Sequence, residues 1–240
     1  MDTNPRPAVA TFDQIEHLEP AVISPSYPAS LSRWVHSSWK RAFDIVVSLL
    51  LLPFLLPILL LLACIVKMTS RGPILHVQDR LGLNGVLFPI LKFRSMKHGR
   101  IEPGPALTQL NDPRLTGFGA WLRKWKLDEL PQILNVLRGD MSLVGPRPHL
   151  PQLMRLHDEA TVQVLRGRPG VTCTSAIAFR HEEELLEPLA SDDLEEFYLS
   201  EIQPSKFELD LAYLRSASFL GDIKIILQTV VQIFSSPPKE

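Results

Sequence analysis

The chain has 240 residues, of which 45% are hydrophobic and 21% charged, and its formal net charge is −1. This composition suits one globular domain plus an anchor and is unlike that of a disordered chain. Near-neutral charge excludes a general nucleic-acid binder, so an anionic ligand would have to be held by local basic clusters. The two cysteines, Cys64 and Cys173, provide neither a disulfide framework nor metal-ligand spacing, which fits a reducing, cytoplasmic environment.

The first 32 residues contain five prolines among scattered polar residues and lack sustained periodicity. Segments of this kind do not bury enough apolar surface to fold. We expect residues 1–32 to form a flexible leader and assign no function to it.

An almost unbroken apolar run follows at Ile45 to Val66, long enough at about 22 residues to cross a bilayer core as a helix. Basic residues flank it on both sides, which favours keeping both ends in the cytoplasm. Pro57 lacks a backbone N–H and should bend or break the helix near its middle. We therefore predict a re-entrant membrane helix region over residues 33–71. The alternative is a single-span anchor with a tolerated proline.

Two β-prone segments come next, Ile74 to Arg80 and Val86 to Ser95, joined by a turn that contains Asn84-Gly85. Asn-Gly between such segments predicts a β-hairpin. Lys92 and Arg94 are two apart in the second strand and should share one face. The stretch from Arg100 to Pro113 is rich in Gly, Pro and Asn and is predicted to be a loop.

A basic amphipathic helix is predicted next, with its apolar residues at helical spacing and three cations on its other faces. The residues concerned are Phe118, Trp121, Leu122, Trp125, Arg123, Lys124 and Lys126. Such a helix can lie in the headgroup layer of a membrane. The alternative is that its tryptophans pack into the protein core.

A short helix is predicted after Pro131, with Gly139 as its C-terminal cap. Asp128 and Glu129 stand at its head, where unsatisfied N–H groups favour anions. Taken alone, Asp128 is most simply an N-cap.

The remainder of the chain is predicted to be mostly helical. We expect a helix over His149 to Gly167, a turn at Arg168-Pro169-Gly170, an acidic helical stretch with a solvated face from Glu182 to Glu201, and two closing helices within Phe207 to Phe234. Residues 72–235 would then form one membrane-associated cytoplasmic catalytic domain.

The chemically informative residues are the adjacent carboxylates Asp128 and Glu129 together with nearby cations. Arg123 lies upstream, Arg147 is fixed between Pro146 and Pro148, and Lys92 and Arg94 add charge from the hairpin. Arginine forks match phosphate oxygens, so this set suits phosphoryl transfer. The two carboxylates could hold Mg²⁺ with substrate phosphates, or one of them could attack phosphorus itself.

Other common sites are absent from the pattern. His149, His157 and His181 lack zinc-like spacing and are expected to be surface or packing residues. The sequence contains neither a P-loop nor a dinucleotide-binding glycine motif.

Six ordered motifs resemble the bacterial sugar transferases, the monotopic polyprenol-phosphate phosphoglycosyl transferases. They are KRAFD, KFRSM, NDPR, LDELPQ, GDMSLVGPRP and RPGVT, and the resemblance covers roughly residues 38 to 232. It implies transfer of a sugar phosphate from a nucleotide diphosphate sugar to a polyprenyl phosphate such as undecaprenyl phosphate, with release of the nucleoside monophosphate. This is the first membrane-committed step in making a surface glycan.

By this resemblance Asp128 is the nucleophile, Glu129 completes the dyad, Mg²⁺ is the cofactor, and Lys92, Arg123 and Arg147 contact phosphate. The implied fold is α+β, with a re-entrant membrane helix followed by a small, mostly helical cytoplasmic domain that has a short β-hairpin and interfacial amphipathic helices. The implied location is the cytoplasmic face of the bacterial inner membrane. No nucleic-acid partner is expected, and a homo-oligomer is left open.

Two positions depart from the family pattern. Leu56 precedes Pro57 where serine is common, and the residues after Thr172 read Cys173-Thr174-Ser175-Ala176 where the family usually continues with glycine. The second departure leaves the donor sugar open. Two rival functions also remain: a different metal-dependent phosphotransferase, and a non-catalytic scaffold that binds anionic lipid.

Overall fold

The computed structural model describes residues 31–98, 106–109, 112–154, 158–190 and 193–235. The predicted leader lies outside the described residues except for its last two, and so does most of the loop predicted over residues 100–113. The described part is a mixed fold in which helices dominate and two small two-stranded sheets are present. The α+β class is therefore confirmed.

The first helix, α1, runs from Ser38 to Thr69. Ser37 caps it by accepting a hydrogen bond from the backbone N–H of Lys40 at 3.0 Å. The helix continues through Pro53 and Pro57, so it does not break at Pro57, and a bend there remains a prediction. Each proline removes only one helical hydrogen bond, and the remaining bonds of this long apolar helix persist.

This helix is long and apolar enough to cross a membrane, and only 11% of its most apolar 18-residue window is buried. Its outward side exposes leucines and one phenylalanine, among them Leu50, Phe54, Leu60 and Leu61. A face of this kind on a protein surface marks a contact with a membrane or another apolar partner.

Both ends of α1 pack on the folded domain. Near the start, the Arg41 guanidinium donates to the carbonyls of Val136 and Leu137 at 2.6 and 3.1 Å. Near the end, Leu62 and Val66 are buried with Phe93 and Leu122.

The predicted hairpin is present as β1, Leu75–Leu81, and β2, Leu87–Phe93. The strands are antiparallel, with a one-turn 3₁₀ helix at Leu83–Gly85 between them. Asn84 adopts the left-handed conformation, with φ 57°, which explains why Asn-Gly occurs there.

Next come α2 over Gly117–Lys124, a 3₁₀ helix over Leu127–Gln132 and α3 over Ile133–Arg138. Gly139 ends α3 with φ 104°, as its predicted capping role requires. In α2, Leu122 is fully buried and Trp121 is 44% exposed while stacking on Phe118. The predicted amphipathic helix is therefore confirmed, with one tryptophan on the surface.

A second sheet was not predicted. Strands β3, Ser142–Val144, and β4, Gly170–Thr172, pair in parallel. A Cβ atom on Gly170 would lie 2.1 Å from the backbone nitrogen of Gly145, so glycine is needed for this approach. The pairing joins the GDMSLVGPRP and RPGVT segments.

The helix predicted over His149 to Gly167 is wrong in extent. The described residues there form a 3₁₀ turn at Pro151–Leu153 and helix α4 at Glu159–Leu165. Tertiary contacts hold the first part out of a helix, because the His149 carbonyl accepts from the Leu81 backbone N–H at 3.1 Å.

The chain closes with short helices and then two longer ones. They are α5 at Thr174–Ala178, α6 at Glu182–Leu186, α7 at Leu194–Phe197, a π-helical turn at Tyr198–Ile202, α8 at Gln203–Ser216 and α9 at Phe219–Ser235. The two predicted closing helices are confirmed as α8 and α9. Helix α9 exposes a row of apolar side chains that includes Leu220, Leu227 and Val231.

Candidate active site

A cavity of about 620 Å³ lies between the hairpin, the 3₁₀ helix Leu127–Gln132, the Pro146-Arg147-Pro148 segment and α6. Both predicted carboxylates line it, as do all four predicted phosphate-binding cations. The cavity is therefore the place where the sequence-predicted residues meet.

Local backbone geometry brings the dyad to the cavity. Lys126 takes the left-handed conformation, with φ 55°, which ends α2 and begins the 3₁₀ helix that carries Asp128 and Glu129. The N-cap residue of α3 is Gln132, so Asp128 does not cap that helix. The simplest explanation of Asp128 from sequence is therefore wrong.

Side-chain bonds fix the dyad against the hairpin. The Asn135 Oδ1 atom accepts from the Leu91 backbone N–H at 3.0 Å, and its Nδ2 atom donates to the Pro89 carbonyl at 2.8 Å. Asn135 thus pairs with β2 much as a neighbouring strand would. This contact sets α3, and the 3₁₀ helix before it, beside Lys92.

Glu129 is the paired member of the dyad. Its Oε1 atom accepts from Lys92 Nζ at 2.7 Å and from an Arg147 guanidinium nitrogen at 3.2 Å. Burial alone would raise the pKa of this carboxyl, but Lys92 and Arg147 outweigh burial and hold the pKa well below its usual range. Glu129 is therefore ionised and fixed in place.

Asp128 is the free member. The residue is 6% exposed, and Oδ1 has no hydrogen-bond partner among the described residues. Burial raises its pKa, with the nearby Glu129 adding to the effect and Lys92 opposing it. Two adjacent carboxyls whose pKa values are pushed apart are suited to different chemical roles.

Arg147 is held by its backbone as well as by its partner. Its N–H donates to Asp210 Oδ2 at 3.2 Å, and prolines on both sides restrict the chain. The charge of Glu129 raises the pKa of the Arg147 guanidinium, and this effect outweighs burial, which would lower it. Arg147 is therefore a fixed cation at the dyad.

Arg80 is a cation of the cavity that sequence reasoning missed. It donates to the Pro148 carbonyl at 3.2 Å and to Gln78 Oε1 at 2.8 Å, and burial lowers its pKa to about 10. The signal was present, because His76, Gln78 and Arg80 alternate along β1 and His76 pairs with Lys92 in register.

Arg94 differs from the other predicted cations. Its guanidinium donates to the backbone carbonyls of Pro73, Val66 and Ser70, which ties the hairpin to the end of α1. The Arg94 backbone N–H still donates across the hairpin to the Ile74 carbonyl at 3.0 Å, while its side chain turns to these carbonyls at the end of α1. It lines the cavity without a contact to the dyad, and phosphate binding by Arg94 remains a prediction.

The acidic stretch was expected to be a solvated face, and this is wrong for its first two residues. Glu183 accepts from Arg123 at 3.1 Å, and Glu182 accepts from the buried ammonium of Lys206. Both glutamates line the cavity. The fold turns α6 inward because Leu186 is buried in a small core with Leu194 and Tyr198.

The histidines were expected in packing or surface roles. His149 is buried edge-on against Phe207, and burial, followed by Lys206, lowers its pKa to about 3. His181 is a surface residue that pairs with Glu184. His157 lies outside the described residues. Within the described ranges, no group of three or more His, Cys, Asp or Glu side chains could hold a metal ion.

The model of the family "Bacterial sugar transferase" matches residues 35–236 of this sequence. The chain belongs to the bacterial sugar transferase family. The match spans α1, the hairpin and every residue of the candidate site described above.

Several curated bacterial sugar transferases are similar to the chain. An undecaprenyl-phosphate glucose phosphotransferase of Komagataeibacter xylinus is 41% identical over 229 residues, which is 92% of this chain and 40% of that protein. A UDP-glucose:undecaprenyl-phosphate glucose-1-phosphate transferase of Escherichia coli (strain K12) is 37% identical over 95% of this chain and 48% of its own length. The chain thus spans less than half the length of these two relatives.

A shorter relative is matched over most of its length. The exopolysaccharide production protein ExoY of Rhizobium meliloti (strain 1021) is 35% identical over 206 residues, which is 80% of this chain and 83% of that protein. The segment shared with all three relatives therefore includes most of the present chain.

Proposed function

We propose that this sugar transferase transfers a sugar phosphate from a UDP-sugar to undecaprenyl phosphate through a covalent intermediate on Asp128. The observation that carries the proposal is the unpartnered Oδ1 of Asp128, buried beside a neighbour that two cations hold ionised. A carboxylate with a free oxygen and a raised pKa is suited to nucleophilic attack.

In the first step, an Asp128 oxygen attacks the β-phosphorus of the donor. A bond forms between that oxygen and phosphorus, the bond from phosphorus to the bridging oxygen breaks, and uridine monophosphate leaves with the electron pair. Lys92, Arg80 and Arg147 surround the dyad and stabilise negative charge on the phosphate oxygens.

In the second step, a phosphate oxygen of undecaprenyl phosphate attacks the same phosphorus. The bond to Asp128 breaks, the carboxylate is restored, and the lipid diphosphate sugar leaves. The same cations serve both steps because both proceed by displacement at one phosphorus atom.

We propose Mg²⁺ as the cofactor, held by Asp128 and Glu129 together with substrate phosphates. The residues fit, because Mg²⁺ is commonly bound through only one or two carboxylates and Asp128 Oδ1 has no partner among the described residues. The bound ion would neutralise charge on the donor diphosphate.

The membrane placement that we propose is a dip of α1 into one leaflet from the cytoplasmic face of the inner membrane. A straight helix of this length would be roughly 48 Å long at about 1.5 Å per residue, more than the roughly 30 Å hydrocarbon core. Yet Arg41 near its start contacts α3, and Val66 near its end packs against Phe93. Contacts of both ends with one folded domain support a dip over a crossing.

The proposed donor is UDP-glucose, and the proposed pathway is exopolysaccharide synthesis. The names of the two longer relatives specify glucose transfer to undecaprenyl phosphate, and ExoY is named for exopolysaccharide production. A site held at the membrane surface matches a soluble donor and a lipid acceptor whose phosphate lies at the headgroup layer.

The test is the Asp128→Asn variant of the purified chain, assayed with UDP-glucose, undecaprenyl phosphate and Mg²⁺. We expect release of uridine monophosphate to fall at least about 10³-fold, because the amide cannot attack phosphorus. Wild type incubated without acceptor should gain the mass of a hexose phosphate, and the variant should not.

Asp79→Asn is the matched control, because Asp79 is an exposed residue of β1 outside the cavity. It should retain wild-type turnover. Comparable turnover by Asp128→Asn would contradict the nucleophile assignment. Release of free phosphate in place of a lipid-linked sugar would instead favour a different phosphotransferase.

A further inference from the structure

Two carboxylates in the cavity have no role in the phosphate chemistry. Glu182 and Glu183 lie in α6, and their side chains keep 22% and 21% of their surface exposed. Burial by itself would raise the pKa of Glu182, but Lys206 and Arg147 outweigh it and the pKa is lowered. The cavity therefore contains ionised carboxylate on the α6 side as well as at the dyad.

Charge restricts what these two side chains can face. Donor and acceptor both carry phosphate, and a carboxylate next to phosphate oxygens is unfavourable unless several cations surround it, as Lys92 and Arg147 surround Glu129. We assign phosphate binding chiefly to Lys92, Arg80 and Arg147 beside the dyad, because Arg123, the remaining predicted cation on this side of the cavity, is paired with Glu183. The α6 carboxylates are thus suited to a neutral, polar part of the substrate.

A nucleotide sugar has such a part at each end of its diphosphate, the hexose and the ribose. Both present vicinal hydroxyl groups, which donate hydrogen bonds. An ionised carboxylate is an acceptor with two oxygens and can bind two adjacent hydroxyls at once. The chemistry shared by both candidates is therefore a vicinal diol.

The α6 carboxylates are also held in place before any ligand binds. Glu182 is paired with Lys206, whose ammonium lies 5.0 Å from the Tyr198 ring centroid and 5.6 Å from that of Phe179. Gln109 Nε2 donates to the carbonyl of Leu186, at the end of α6, at 2.8 Å. Preorganisation of this kind is what selective recognition requires.

Glu183 is the residue best placed to discriminate. Its partner Arg123 is a surface-accessible cation of α2 with 22% of its side chain exposed, whereas the partner of Glu182 is almost fully buried. Removing Glu182 would leave the Lys206 charge buried without its partner, which destabilises the fold. Glu183 can be changed without that effect.

We propose that Glu183, with Glu182 beside it, binds a vicinal diol of the nucleotide sugar and so contributes to donor specificity. This inference rests on the proposed function for the identity of the donor.

The test measures donor binding by calorimetry in the Asp128→Asn background, so that no turnover is needed. UDP-glucose is compared with two analogues, one lacking a hexose hydroxyl (UDP-2-deoxyglucose) and one lacking the ribose 2′-hydroxyl. We expect the Asp128→Asn protein to bind UDP-glucose more tightly than one of the two analogues. Adding Glu183→Gln should reduce this ratio of affinities by about fivefold or more.

Glu184→Gln is the matched control, since Glu184 is the next residue, is exposed, and lies outside the cavity. It should leave both preferences unchanged. A change confined to the hexose analogue supports recognition of the sugar, and one confined to the ribose analogue supports recognition of the nucleoside.

Equal weakening of all three ligands by Glu183→Gln would overturn the proposal, because it would mean that Glu183 acts only through Arg123 on the phosphates. Unchanged binding of all three would overturn it as well. Glu183→Asp, which keeps the charge on a shorter side chain, should retain part of the preference. The proposed transferase function is tested separately, because its failure would appear as no release of uridine monophosphate by the wild-type protein.

Discussion

Asp128 and Glu129 are neighbours in sequence with opposite electrostatic surroundings. Glu129 has two cationic partners within 3.2 Å, whereas Asp128 Oδ1 has no hydrogen-bond partner in the part of the chain that the structure describes. The two carboxylates have different surroundings because the side chains of adjacent residues in a 3₁₀ helix point in different directions. One carboxyl thereby binds two cations, while the other is left available for the proposed attack on phosphorus.

Asp210 accepts a hydrogen bond from the Arg147 backbone N–H, and its burial predicts that the stability of the protein depends on pH. Burial raises its pKa to about 6 from an ordinary value of 3.8. A raised acid contributes stability below its unfolded pKa, and this contribution is lost as pH rises through about 6. Asp210→Asn should therefore gain stability relative to wild type between pH 4 and pH 8, by up to about 3 kcal/mol.

The measurement is thermal unfolding in detergent at several pH values. Asparagine keeps an oxygen that can accept the Arg147 N–H. Glu208→Gln, an exposed change in the same helix, serves as the control and should show a pH-independent difference from wild type. A constant difference for Asp210→Asn as well would contradict the predicted titration.

At the scale of elements, the parallel pair β3 and β4 positions the Arg147 segment. The Gly170 backbone N–H donates to the Pro146 carbonyl at 2.8 Å, immediately before Arg147. Only a residue without Cβ allows this approach, which explains why two motifs far apart in sequence each contain glycine.

Gly170→Ala should therefore disrupt the site through the backbone. A Cβ atom would lie 2.1 Å from the Gly145 nitrogen, and backbone cannot move aside as a flexible side chain can. We expect a loss of roughly 1–3 kcal/mol or more in stability, with a fall of several degrees in melting temperature. Turnover should fall with it because Arg147 is displaced.

Gly117→Ala is the matched control, since a Cβ added there has no tertiary contact within 4 Å among the described residues. It should leave melting temperature and turnover close to wild type. A Gly170→Ala protein as stable and active as Gly117→Ala would show that the sheet tolerates the extra atom.

At the scale of the whole molecule, α1 is joined to the domain by buried polar bonds as well as apolar packing. Asp44 accepts from Ser142 Oγ at 2.8 Å and from the Leu143 backbone N–H at 3.1 Å. Lys40 donates to Asp222 of α9 at 2.6 Å. Fully buried pairs are costly to break, so the start of α1 should move as one body with the domain.

Cysteine labelling tests the resulting topology. His36 is exposed just before α1 and Arg71 is exposed just after it. In a Cys64→Ser background, His36→Cys and Arg71→Cys should both be protected from a membrane-impermeant maleimide in intact cells and react after lysis. A periplasmic protein with an exposed cysteine serves as the labelling control. Labelling of one site but not the other in intact cells would show that α1 crosses the membrane.

Sequence alone determined the features that depend on local pattern and chemistry. Apolar run length predicted α1, Asn84-Gly85 predicted the hairpin, and the order of six motifs identified the family. Lys92, Asp128, Glu129 and Arg147 were predicted as site residues from the chemistry of their side chains, and the structure places all four around one cavity. Each of these signals lies within a short stretch of sequence, so it can be identified without knowledge of the tertiary structure.

Tertiary structure decided what depends on residues far apart in sequence. The pairing of β3 with β4, the separate states of Asp128 and Glu129, and the inward turn of Glu182 and Glu183 each require partners at least 18 residues away along the chain. An acidic run looks the same whether it faces water or a cavity. Only the packing of Leu186 and the positions of Arg123 and Lys206 make it part of the site.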